Sequence, residues 1–98
     1  MALSHLERIK MLKLACRRGN AETEALLLAY WQDLHQQAQT GTLSHPTLDQ
    51  TLTQFEQLLQ TNDQDLMQWC LRPETAPDDW QDLIEKVRAV YLQTMSVC

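Results

Sequence analysis

The sequence predicts an all-α fold, a compact five-helix bundle forming a single domain over residues 1–98. Three observations carry that expectation. Apolar residues recur at three- and four-residue steps along the chain, and no segment alternates with period two for long, so helices rather than strands are expected. The chain has 98 residues, 44% of them hydrophobic, which is one domain's worth of chain with enough apolar side chains for a modest core. Helix-breaking residues fall between the periodic stretches, at Gly19, Gly41, Asn62–Asp63 and Pro73–Pro77, and divide the pattern into five. Helices joined by such short connections pack as a bundle.

The first helix is expected from about Ser4 to Arg17, with Leu6, Ile9, Leu12, Lys13 and Cys16 along one stripe. Ser4 and Glu7 have the S-x-x-E form of a capping box, in which hydroxyl and carboxylate each satisfy a backbone donor that the first turn leaves orphaned. Gly19 stops this helix, because glycine reaches the left-handed conformation past a helix end without a Cβ clash. Asn20 caps a second helix whose first turn holds Glu22 and Glu24, where the positive end of the helix dipole favours carboxylates. Leu27, Trp31, Leu34 and Ala38 continue it on one face to an end near Thr40 and Gly41.

The third helix starts around Pro46, whose fixed φ suits a first turn, with Ser44 or His45 as its cap. Leu48, Leu52, Phe55 and Leu59 give it a narrow core-facing stripe. Asn62 or Asp63 caps a short fourth helix that holds Leu66, Met67, Trp69 and Cys70. Arg72 to Pro77 reads as a loop, since proline disfavours helix at itself and at the residue before it. Thr75 and Asp78 resemble a second capping box with Pro77 in the first turn, and Trp80, Leu83, Ile84, Val87, Tyr91 and Met95 mark the fifth helix.

The formal net charge of −5 is unevenly spread. Residues 1–19 set Arg8, Lys10, Lys13, Arg17 and Arg18 against Glu7 alone, while the remainder sets Arg72, Lys86 and Arg88 against every other acid of the chain. Nucleic-acid binding is not expected, because neutralising phosphates needs a broad basic face. One basic element on an acidic body suits a protein partner. The first eighteen residues are amphipathic and basic, as a mitochondrial transit peptide would be, but Glu7, the scarcity of serine and the lack of a linker favour a folded first helix. No apolar run approaches the ~20 residues of a membrane span, so no membrane insertion is expected. Cys16, Cys70 and Cys98 are odd in number and widely spaced, which reads as free thiols in a reducing cytoplasm rather than a disulfide framework. His5, His35 and His45 share no ligand-like spacing with them, and no metal site is expected.

Catalysis finds no support in the motifs. The chain has no G-x-S-x-G, H-E-x-x-H, P-loop or dinucleotide fingerprint, and no catalytic residue is assigned. Asp78 and Asp82 read as a solvated helix face. Cys16 has cationic neighbours that lower a thiol pKa, yet its place on the apolar stripe marks it as core filler. His35 reads as a surface residue, and the aromatic residues as core, with Tyr30 and Trp69 the two suited to partial exposure at an interface.

The junction of the first two helices carries the functional reading. Local physics alone makes it a corner: Gly19 turns the chain, Asn20 caps, Glu22 meets the dipole, and Arg17 and Arg18 sit against the carbonyl end of the first helix. The same corner brings Arg18 and Glu22 together as a bidentate donor fork and an acceptor pair for a partner's surface. The cap builds the corner and the side chains use it.

At Arg18-Gly19-Asn20-Ala21-Glu22 the sequence has the form R-G-x-x-E, preceded by Ala15-Cys16-Arg17 and followed by an apolar helix. Residues 62–69, Asn-Asp-Gln-Asp-Leu-Met-Gln-Trp, have the form of a D-D-x-D-L-x-x-W block. In both blocks, and in their order, the chain resembles the SdhE (YgfY) family of flavoprotein assembly factors over residues 5–72. Leu14 stands where that family commonly has an aromatic, Asn20 where it has Met, Thr23 where it has Leu and Gln64 where it has Pro, and the tail after residue 73 matches little.

The resemblance implies a small five-helix protein, not itself an enzyme. It would promote covalent attachment of FAD to the flavoprotein subunit of succinate dehydrogenase, and of fumarate reductase. It implies that FAD belongs to the client, with no cofactor held tightly by this chain, which would act as a monomer. Carried over by the match, Arg18, Gly19 and Glu22 form the partner-binding corner with Arg17 beside them, and Asp65 and Trp69 are structural or rim positions. The alternative is an antitoxin-like or regulatory helical interaction module.

Overall fold

The computed structural model describes residues 5–17, 20–41 and 44–96. Five α-helices occur among them and no strand. They are α1 (His5–Ala15), α2 (Ala21–Thr40), α3 (His45–Leu58), α4 (Asp63–Leu71) and α5 (Asp78–Ser96), with a 3₁₀ turn at Pro73–Thr75 before the last. Ser4, half of the expected first capping box, lies outside the described residues, as do Cys98 and the side chains of Leu6 and Met95.

Each described boundary has a local cause. α1 ends at Ala15, two residues before the expected Arg17. The Cys16 N–H reaches both Leu12 and Lys13 carbonyls, at 3.1 and 3.3 Å, and the Arg17 N–H takes Leu14 O at 3.2 Å, so the last turn tightens before it stops. α2 begins at Asn20, in extended backbone, whose side chain accepts the Thr23 N–H at 3.0 Å. It closes at Gly41, left-handed at φ 70°, whose N–H returns to Gln37 O. A side chain there would find open space but a strained backbone.

Of the two caps open for α3, Ser44 is the one used: its Oγ accepts from Thr47 N–H at 3.4 Å, and Pro46 occupies the first turn. Asn62 caps α4 in the same way through Asp65 N–H at 2.8 Å. Caps of this kind contribute about 1 kcal/mol each. The expected box at Thr75 does not form, because the Thr75 hydroxyl donates to Arg72 O at 2.7 Å and closes the 3₁₀ turn instead. Pro77 stands just before α5 rather than in its first turn, and its carbonyl receives the Trp80 and Gln81 N–H groups at 2.8 and 3.1 Å.

α2 is the hub. It packs along α5, against α1 and against α4, while α3 packs chiefly on α1. The predicted stripes meet in one core: Ile9, Leu12 and Cys16 from α1, Leu27, Trp31 and Leu34 from α2, Leu48, Leu52 and Phe55 from α3, Leu66 from α4, and Leu83, Ile84 and Val87 from α5. The rings of Tyr30 and Phe55 meet edge to face at 5.0 Å, and the Trp31 indole N–H donates to the Ile9 carbonyl at 2.6 Å. The stripes omitted Thr23, buried under the α2 cap with its hydroxyl on Asn20 Oδ1, and Leu58, fully buried beside Leu59. A Cα radius of gyration of 13.1 Å is close to the ~13 Å expected of a compact domain this long.

Candidate functional site

Arg17 is exposed just beyond α1. Arg18 and Gly19, the centre of the predicted corner, lie outside the described residues. The chain resumes at Asn20, which does more than cap α2: its Nδ2 donates to the Met67 sulfur of α4 at 3.1 Å. A thioether is a weak acceptor, so this contact fixes position more than it adds stability. It also joins the two sequence blocks, since Asn20 lies inside R-G-x-x-E and Met67 inside D-L-x-x-W.

Glu22 is exposed in the first turn of α2, and no described residue pairs with its carboxylate. The helix dipole supports the negative charge there. Asp65 is exposed too but is engaged by its own helix: its N–H donates to Asn62 Oδ1 at 2.8 Å, and its Oδ2 accepts from Asn62 Nδ2 at 2.9 Å. Trp69 is half-buried and packs against the core. Asp65 thus shapes the start of α4, and Trp69 anchors the helix one turn later.

Two grooves border this region. One, of about 310 Å³, lies between α2, α4 and α5; Glu22, Leu71, Arg88, Tyr91 and Leu92 line it together with the buried Cys70. The other, of about 270 Å³, lies between α1 and α3 beside Arg8, Met11 and Leu59. Met11, Leu14, Leu71 and Leu92 are each more than half exposed. Sequence reasoning marked Leu14 only as a departure from the family pattern and did not single out the other three. The available signal was their position off the apolar stripes: Met11 and Leu14 fall between the buried Ile9, Leu12 and Cys16, and Leu92 follows Tyr91 by one residue.

Around α1 the charges are used unequally. The Arg8 guanidinium clasps α3, with Nε on Glu56 at 3.0 Å, one terminal nitrogen on Thr53 at 3.0 Å and also on Glu56, and the other on Asp49. The Glu56 hydrogen bond, ahead of Asp49, holds its pKa above the ordinary arginine value. Lys13 lays its ammonium over the Trp31 ring at 5.2 Å, and His35 stacks on the same ring with 5.0 Å between centroids. His35 is therefore half-buried rather than the surface residue expected, because Trp31 offers it a face. Cys16 and Cys70 are buried and neither is in a disulfide, and burial pushes the Cys70 thiol up to about 11 despite the opposing charge of Arg88. A thiol held neutral is a poor nucleophile. No group of three metal-ligating side chains occurs among the described residues, and no described helix is long and apolar enough to cross a membrane.

A helical bundle that exposes Arg17 and Glu22 on either side of the α1–α2 junction, ties Asn20 to α4 and leaves leucines open beside its grooves has the surface features of the class of small protein-docking factors. Within that class, the family model described as flavinator of succinate dehydrogenase matches residues 10–91, and the chain belongs to that family. The match continues through most of α5, beyond residue 73 where the motif resemblance thinned. No curated protein and no solved structure gives a match. The chain is thus an assembly factor for the flavinylation of succinate dehydrogenase.

Proposed function

We propose that this protein binds the flavoprotein subunit of succinate dehydrogenase, and that of fumarate reductase, through the corner of Arg17, Arg18, Gly19 and Glu22, with Asp65 and Trp69 supporting it from α4. Bound there, it holds the client's domains so that flavin and acceptor side chain meet in reactive geometry. Positioning of this kind lowers a barrier substantially with no catalytic group from the holder. FAD and the chemistry of attachment belong to the client. The factor acts as a monomer in the cytoplasm and is not itself an enzyme.

The observation that carries this reading is the state of Glu22. Its carboxylate is exposed, without a partner among the described residues, and sits on a helix start that Asn20 ties to α4. A rigidly mounted acceptor with nothing to accept is suited to an incoming donor. The grooves support placing FAD on the client. They are open, at the small end of ligand pockets, and among the described residues each brings one cation, Arg88 or Arg8, to a dinucleotide that carries two phosphates.

Glu22→Gln keeps shape and helix while removing the charge. Loss of one charge-assisted contact costs about 1.5–3 kcal/mol, so binding to the purified flavoprotein subunit should weaken roughly 10- to 100-fold. Flavin fluorescence of that subunit in a denaturing gel, from cells carrying the wild type, the variant or neither, reads the outcome. Equal flavinylation in all three would remove the assignment, and flavinylation independent of the gene would favour the regulatory-module reading.

A further inference from the structure

The groove between α2, α4 and α5 has an occupant that its lining describes. Leu71 at the end of α4 and Leu92 on α5 are each 58% exposed. A lone exposed leucine on a small protein is ordinary. Here two of them line one groove of about 310 Å³, with the half-buried Tyr91 between charged positions of opposite sign. Glu22 stands on the α2 side and Arg88 on α5, and neither is paired with the other or with any described residue. Arg88 is half-buried as a residue, and no described residue accepts a hydrogen bond from its guanidinium. An apolar centre, a charged rim, and an aromatic and an arginine within it are the composition of a protein–protein contact.

Resting on the reading above, we infer that this groove receives a short segment of the flavoprotein client. That segment carries one large apolar side chain between Leu71 and Leu92, a carboxylate for Arg88 and a cation for Glu22. Continuity argues for the client over any other occupant, because Glu22 belongs both to the R-G-x-x-E corner and to the groove wall. A client held at the corner therefore already lies beside the groove. Charge complementarity sets the direction of the segment, its acidic end toward α5 and its basic end toward the corner. The client contact so extends from the junction of α1 and α2 across the chain's last described helix.

The test uses the full chain and the purified flavoprotein subunit of succinate dehydrogenase, with affinity by calorimetry and flavinylation by in-gel fluorescence. The double variant Leu71→Gln/Leu92→Gln changes only exposed side chains and should melt within a few degrees of the wild type. Affinity should fall at least tenfold in this variant and in Arg88→Glu, while Arg88→Lys stays within a few-fold. As a second measurement, Leu92→p-benzoylphenylalanine should crosslink to the subunit under light, and the same replacement at the exposed Gln54 of α3 should not. If Glu22→Gln loses binding while the groove variants keep it within twofold and Leu92 captures nothing, the groove is overturned and the corner stands. If the wild type does not bind the subunit, both fall together. Loss of self-association in the groove variants with client affinity unchanged would also overturn the inference, in favour of a second copy of the chain.

Discussion

Tyr30 is 5% exposed, its ring edge-on to Phe55, and its phenol is pushed up to about 12 by burial first and by the nearby Asp33 second. Cys70 behaves alike, raised from 9.0 to about 11. In both, the folded chain holds a proton that the unfolded chain releases earlier, so the stability they contribute is complete below about pH 9 and is lost as pH climbs through 11 to 12. The melting temperature should therefore be level from neutral pH to about 9 and then decline. Cys70→Ala should make the lower part of that decline less steep and Tyr30→Phe the upper part; unchanged slopes in both would show that these groups do not titrate this way. Sequence patterning put Cys70 on the fourth helix, left Tyr30 between core and interface, and found the Asn20 cap of α2, but it could not foresee that the Asn20 amide reaches Met67. The cap is local chemistry that four residues suffice to show. The sulfur contact depends on how α4 crosses α2, which no local pattern contains.

Helix starts were legible wherever a side chain caps them, as at Asn20, Ser44 and Asn62. They were misread at Thr75, where a hydroxyl had two backbone groups within reach and took the carbonyl behind it. α1 was the least legible element, because Met11 and Leu14 spread apolar character round its outer face while Arg8 turns a charge toward α3. That arginine is 16% exposed and its fork spans Asp49, Thr53 and Glu56, so it fixes the seat of α1 more firmly than an ordinary surface pair would. Arg8→Lys keeps the charge and loses the fork. It should cost about 1 kcal/mol, a fall in melting temperature of about 4–8 °C for a domain of this size, and the difference should narrow in high salt as the acids are screened. A variant that melts with the wild type at low salt would show that burial of Ile9, Leu12 and Cys16 alone seats the helix.

Across the whole molecule, α2 touches α1, α4 and α5 along its length and meets α3 through Tyr30 and Phe55. Removing it would leave no two remaining helices with a shared core of useful size beyond α1 with α3 and α4 with α5. The described residues that flank the proposed corner lie at the same crossing, with Arg17 just beyond α1, Glu22 at the start of α2 and Met67 of α4 bonded to Asn20. That arrangement exists only when three helices are docked. The five-helix class was readable from periodicity, but this convergence was not, since R-G-x-x-E and D-L-x-x-W are far apart in the chain and meet only through packing. Unfolding should accordingly be all-or-none, with far-UV circular dichroism and tryptophan fluorescence falling together. Leu27→Ala, at a site with no exposure near the middle of the hub, should cost about 2–5 kcal/mol and move both signals equally. Client binding should then be lost in proportion to the unfolded fraction, because no partly folded form keeps Glu22 in register with α4. Two separated transitions, or binding that survives the loss of the fluorescence signal, would place the corner on a smaller folding unit than the whole bundle.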